Sequence, residues 1–214
     1  PPPAAPPPAA APPAFATTKV EGTDNVYVFR YQNHQSMFVV TPAGVIATDP
    51  ISYGRPQAAV TYVAEIKKLS PTTKPVRYLL NTSADADHVG GNQQLAGALG
   101  SLATWTIINT PGASQNAVQI IAHDNVLARV SHLPSTAWPT ETFVGDEKEF
   151  YFNDEPVFMY HIPSAHSDGD SLVFFRHSDV IATGEIKRTD SYPVIDLAKG
   201  GSVDGVIGGL NRIL

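Results

Sequence analysis

The segment Val76-Arg-Tyr-Leu-Leu80 constrains the fold most, because it is an apolar strand candidate that runs without a break into the polar loop Asn81–Asn92. A short apolar run ending at turn-forming residues reads as a buried strand. Polar side chains at a strand's carboxyl end sit where α/β folds commonly hold ligands. A short helix is expected next, near Gln93–Leu99. Upstream, Thr17–Val20 and Val26–Arg30 are strand candidates around the turn Glu21–Asn25, and Ser36–Thr41 and Val45–Thr48 flank Pro42-Ala43-Gly44 as a hairpin. Pro56 opens a helix whose expected apolar face is Ala59, Val60, Val63, Ile66 and Leu69, ending before Pro71. Downstream, Thr104–Ile108 and Val118–Ala122 read as strands and Asn125–His132 as helical. Glu149–Phe152, Val157–His161, Ser171–Arg176 and Asp179–Thr183 form a β meander, and a last helix begins near Ser202. Strands, a helix, more strands and a closing helix imply sheets covered by helices, of α+β or α/β class.

The chain's 214 residues suffice for one domain with a sizeable core, or at most two small ones. A net charge of −6 without any Lys/Arg run argues against nucleic acid as a partner. The absence of cysteine excludes disulfides, thiolate zinc sites and cysteine nucleophiles. It also fits a protein working outside the reducing cytosol, so a secreted or periplasmic location is expected. Val89–Ala122 carries no charged residue, yet Gly, Asn, Gln, Ser, Thr and Pro interrupt it. It therefore reads as buried protein rather than a membrane span.

Residues 1–13 are only proline and alanine, which favours extended polyproline II and a semi-rigid spacer. The expected organisation is a linker or tail over 1–16 and one domain over 17–214. The tail would act as a stalk behind a removed secretion signal, a disordered end, or a tether for a partner protein or for self-assembly. The sequence opens on Pro1 rather than Met, and Val203, Val206, Ile207, Leu210, Ile213 and Leu214 keep helical spacing to the last residue. A continuation past Leu214 is expected on that basis.

Three loops carry chemistry. In Asn81-Thr-Ser-Ala-Asp-Ala-Asp-His-Val-Gly-Gly-Asn92, Asp85, Asp87 and His88 fall within four residues. Two carboxylates and an imidazole so close need a balancing cation or hydrogen bonds, and such ligands suit zinc, iron or manganese. A cap or Asx turn for Asp85 or Asp87 is the alternative. The pair Gly90-Gly91 is expected to turn the backbone tightly into the next helix. In Pro163–Ser171, His166 lies in a Gly/Asp/Ser loop, with Asp168 or Asp170 able to orient its second ring nitrogen or simply to form a turn. Ala182-Thr-Gly-Glu185 places a further carboxylate at a strand end. His34 is a candidate for a pocket rim, whereas His123, His132, His161, His177, Trp105, Trp138 and Phe150–Phe152 read as ordinary structural residues.

Together these loops resemble the metallo-β-lactamase superfamily. Ser83-Ala-Asp85-Ala-Asp87-His88 aligns with its His-x-His-x-Asp-His loop, and Val89-Gly-Gly-Asn92 follows as in one branch of it. Ala165-His166-Ser-Asp-Gly-Asp170 is similar to the segment carrying the third histidine of the first metal site, and Thr183-Gly184-Glu185 to the Thr-Gly-Asp that bridges the metals. Val40–Asp49 looks like its early hairpin ending in a structural aspartate. The likeness runs from about Val20 to the end and is closest to the secreted metallo-hydrolases of that superfamily.

The resemblance implies an αββα four-layer sandwich lacking its C-terminal part, and with it the family's last metal histidine. It implies metal ligands Asp85, Asp87, His88, His166 and Glu185, with Ser83 a poor ligand and Asp87 the catalytic residue. Ser83 and Asp85 stand where the family has histidines, and Glu185 where it has the bridging aspartate. One site built on Asp87 and His88 with an altered partner site is therefore implied. Zinc is the implied cofactor, as one or two ions, with the oxygen-rich set moving preference toward manganese or iron. The implied activity is hydrolysis of a small-molecule ester, lactone, lactam or phosphoester by metal-activated water. The rival is a non-catalytic secreted binding or structural module on a decayed site; redox chemistry at iron is a third reading.

Overall fold

The computed structural model describes residues 13–70, 76–99, 101–102, 117–189 and 191–214. Strands β1 (Phe15–Lys19), β2 (Val26–Tyr31), β3 (His34–Thr41) and β4 (Gly44–Thr48) form an antiparallel run. The sheet turns parallel as β4 pairs with β5 (Val76–Leu80), and β5 with β7 (Ala117–His123). The short strands β6 (Ser101–Leu102) and β8 (Glu141–Phe143) also join β7 in parallel. A second sheet is the meander β9 (Glu147–Phe152), β10 (Glu155–His161), β11 (Ser171–Phe175) and β12 (Val180–Ala182). β1 begins inside the stretch assigned from sequence to the tail, since Phe15 pairs with Tyr31.

Alternation within the central strands sends side chains into two different cores. In β3 and β4, Phe38, Val45 and Ala47 face one way, and Met37, Val39 and Ile46 the other. The first set packs on helices α1 (Pro56–Leu69) and α3 (Asn92–Leu99), through Ala58, Tyr62, Val63, Ile66, Leu95 and Ala96. The second set meets Val157, Met159, Val173 and Phe175 of the meander. The meander's outer face, with Tyr160, Leu172 and Ile181, is covered by Val206, Leu210 and Ile213 of α5 (Val203–Ile213). Helix, sheet, sheet, helix is the expected αββα sandwich. Strands buried on both faces explain why β4 reads as a continuous apolar run rather than an alternating one.

Several expectations are corrected. On α1, Val60 is 56% exposed, and Ala58 and Tyr62 are buried in its stead. The Tyr62 hydroxyl donates to the Met37 carbonyl at 2.6 Å, so a polar-tipped ring is accommodated in the core. Its ring stacks on Phe29 at 4.9 Å. Tyr151 is exposed, while Phe150 and Phe152 pack against the inter-sheet core. Asp124–Val130 forms helix α4, which starts one residue before the expected helical stretch and ends two residues before its end. The strand expected at Thr104–Ile108, Trp105 and the Pro71 boundary lie outside the described residues. No helix among the described residues is long and apolar enough to cross a membrane.

Candidate metal centre

β5 ends at Leu80, and the chain turns through Asn81–Asp85 into a single helical turn, α2 (Ala86–Val89). Asn81 and Asn92, both fully buried, hold this loop closed. Each amide donates to the other's oxygen, at 3.0 and 2.8 Å, and Asn81 also donates to the His88 carbonyl at 3.2 Å. An internal pair with its donors satisfied rigidifies what it joins. It also explains why Asn81-Thr-Ser, a formal glycosylation sequence, is inaccessible. The Gly90-Gly91 pair serves close approach rather than a left-handed turn. Gly90 has a right-handed helical φ of −62°, and a Cβ on Gly91 would lie 2.5 Å from the Pro50 carbonyl oxygen.

His88 is buried at the centre of the site. Its Nδ1 faces Asp49 at 3.3 Å and its Nε2 faces Glu185 at 2.8 Å. A neutral imidazole offers one N–H and one lone pair, so carboxylates on both nitrogens require either a proton or a metal cation on the second. Burial opposes the charge, but Asp49 and Glu185 outweigh it and hold this imidazole well above the usual histidine range. The hydrogen bond from His88 in turn lowers the Glu185 carboxyl despite its burial. Asp49, at the end of β4, accepts from the Thr82 N–H at 2.8 Å and from the Thr82 hydroxyl at 2.7 Å. It sits at a left-handed φ of 39°, which Asp tolerates better than most residues.

Glu185 is delivered by the loop after β12. Gly184 there has φ +51°, and a Cβ on it would lie 2.6 Å from the Thr82 hydroxyl oxygen, so only glycine brings Glu185 this close. Asp87 completes the group: ligand atoms of Asp87, His88 and Glu185 all lie within 4.8 Å of one another. His34, the first residue of β3, faces the Asp87 carboxylate at 3.0 Å. Burial lowers the His34 pKa, with Asp87 opposing, so the ring is neutral and donates its Nδ1–H to Asp87. These residues open onto a cavity of about 640 Å³, lined also by Arg30, Lys187 and Arg188.

Asp85 and His166 form a separate cluster. Asp85 is the N-cap residue of α2, yet its side chain makes no capping bond. One carboxylate oxygen meets His166 Nε2 at 2.9 Å and the other Lys199 Nζ at 2.9 Å. The bond to Asp85 lifts His166, against the effect of burial, to about 9. The same bond, followed by those from Lys199, draws the Asp85 carboxyl well below the carboxylate range. Neither Asp168 nor Asp170 orients His166. Its Nδ1 meets the Val194 carbonyl at 2.9 Å, while Asp168 pairs with Arg129 and Asp170 accepts from the Ser167 N–H. Ser83 is fully buried, and its hydroxyl accepts from the Asp85 N–H at 3.2 Å.

Asp87, His88 and Glu185 thus converge, whereas Asp85 and His166 pair with each other. Nothing in the sequence marks Lys199, and the sequence marks His34 only as a candidate for the rim. His123 and His161 stack at 3.6 Å outside this group, in keeping with a structural role.

The chain has the metallo-β-lactamase fold. A metallo-β-lactamase from Pontibacter korlensis superposes with a TM-score of 0.65 at 15% identity, over 93% of this chain and 84% of that one. One from Hirschia baltica gives 0.63 at 14%, over 94% and 85%. A sec-alkyl sulfatase gives 0.61 at 11%, over 80% of this chain and 31% of its own. No family model and no curated protein sequence matches the chain, so the likeness rests on three-dimensional structure.

Proposed function

We propose that the protein is a metal-dependent hydrolase whose Asp87, His88 and Glu185 hold one divalent cation, zinc first and manganese or iron next. One observation carries this reading: a buried imidazole with a carboxylate at each nitrogen and a third carboxylate within ligand reach. A proton or a metal cation balances such a set, a divalent ion the more fully against three carboxylates, and the Asp49 carboxylate behind His88 is the outer partner that metal-bound histidines usually have. When bound, the cation supplies Lewis-acid activation of water and of a carbonyl or phosphoryl oxygen.

The residues divide the remaining work. Asp49 fixes the His88 ring so that Nε2 faces the cavity side. Asp87 holds the attacking water by hydrogen bond and accepts its proton on a carboxylate oxygen. His34 donates its Nδ1–H to the Asp87 Oδ2 and locks that carboxylate's orientation, and the proton Asp87 has taken from water passes from Asp87 itself to the leaving group. Arg30 and Lys187 on the same cavity suit a small substrate carrying an anionic group beside its ester, lactone, lactam or phosphoester. The lack of cysteine supports a secreted or periplasmic setting.

The test is a hydrolysis screen with zinc-loaded protein. Activity lost on chelation, restored by zinc, and lost in folded Asp87→Asn supports the reading. The closed Asp85–His166–Lys199 cluster favours a second reading, a binding module on a decayed site. That reading gains if no ester, lactam or phosphoester turns over while a ligand stays bound after chelation.

A further inference from the structure

We propose that the Lys199 ammonium is the resident cation of the second half of this site, so that the protein takes one divalent ion per chain. The proposal rests on the reading of Asp87, His88 and Glu185 as the ligands of that ion.

Every donor atom beside the ammonium already has a partner. The Asp85 carboxylate gives one oxygen to His166 Nε2 and the other to Lys199 Nζ, each at 2.9 Å. His166 Nδ1 is taken by the Val194 carbonyl, and the Ser83 hydroxyl by the Asp85 N–H. A second metal on Asp85 would have to displace an ammonium from the same oxygen or sit against its like charge.

The ammonium is held by design of the turn, not by a wandering surface side chain. Lys199 closes the 3₁₀ turn Leu197–Lys199, and its N–H donates to the Asp196 carbonyl at 3.0 Å. Its own carbonyl accepts from the Asp168 N–H at 3.0 Å and from the Arg129 guanidinium at 2.8 Å. Asp196 receives the ammonium at 3.0 Å, and the Asp196 N–H donates to the His166 carbonyl at 2.9 Å. Backbone and side chain therefore tie Lys199 to the very loop that carries His166. A lysine so placed neutralises Asp85 permanently, where a metal would do so only when available.

The experiment counts zinc by elemental analysis after saturation with Zn²⁺ and gel filtration, with circular dichroism as the fold check. We expect one ion per chain in the wild type and in Lys199→Arg, which keeps the charge. Lys199→Met should bind two, because the Asp85 Oδ1 beside His166 is freed of its ammonium, and Lys199→Met combined with Asp85→Asn should return to one. If Lys199→Met does not fold, Lys199→Gln, which keeps a donor to Asp196, makes the same comparison. Two ions in the wild type, or one in a folded Lys199→Met, overturns the role of Lys199 and leaves the metal reading standing. No ion in any folded variant overturns both.

Discussion

Asp49 organises the site from behind His88, and its replacement separates stability from metal affinity. Its carboxylate accepts two short hydrogen bonds from Thr82, at 2.8 and 2.7 Å, and faces His88 Nδ1 at 3.3 Å, with the residue only 5% exposed. Hydrogen bonds to a charged group are worth roughly 1.5–3 kcal/mol each, and leaving buried donors unmet is costly. An alanine at the left-handed φ adds about 1 kcal/mol of strain. Asp49→Ala should therefore lose about 4–7 kcal/mol in urea unfolding of the metal-free protein. Asp49→Asn keeps an acceptor for the Thr82 N–H and tolerates the same φ, so about 1–2 kcal/mol is expected. Both variants should weaken Zn²⁺ binding, Asp49→Asn by about 10–100-fold, because the imidazole loses the carboxylate that orients it. An alanine variant within about 1 kcal/mol of wild type, or an asparagine variant with unchanged zinc affinity, would refute the reasoning.

Three further outcomes follow from the same geometry. Because His88 is held protonated between two carboxylates, zinc uptake at neutral pH should expel about one proton per ion; calorimetry in buffers of different ionisation enthalpy reads it, and zero release contradicts it. His166 is raised to about 9 from an unfolded value near 6.5, so its contribution is fully present below that value and lost as pH rises through 9. Metal-free protein should lose on the order of 1–3 kcal/mol between those limits, a loss that Asp85→Asn abolishes. Asp85, held low, acts in the opposite window, its share disappearing only as pH falls below the ordinary carboxylate range. Asn92→Leu strands the amide of fully buried Asn81 and should cost about 2–4 kcal/mol by thermal unfolding, with a near-neutral result counting against the amide pair as the loop's clasp.

The layered fold was legible because its strands carry strong local patterns: β4 and β5 are apolar runs, and Pro56 marks the start of α1. Errors arose where tertiary contacts override pattern. Tyr62 looks less apolar than Val60, yet it is buried because its hydroxyl finds a backbone carbonyl across the core. The site was half legible. Asp87 and His88 are sequence neighbours on one helical turn, and Glu185 follows a glycine that the Thr82 contact demands. Lys199 gave no signal, since it meets Asp85 from 114 residues away and its position depends on backbone bonds of a short turn. The partner of His166 is hidden from the sequence for a related reason. Nearby aspartates in the sequence suggest themselves, but the ring bonds a carbonyl from a separate loop.

Zinc-edge anomalous diffraction from crystals grown with Zn²⁺ tests the metal centre most directly. We expect one peak per chain, about 2.0–2.2 Å from His88 Nε2 and from carboxylate oxygens of Asp87 and Glu185. A peak at Asp85 and His166 instead, or none in fully folded protein, would contradict it.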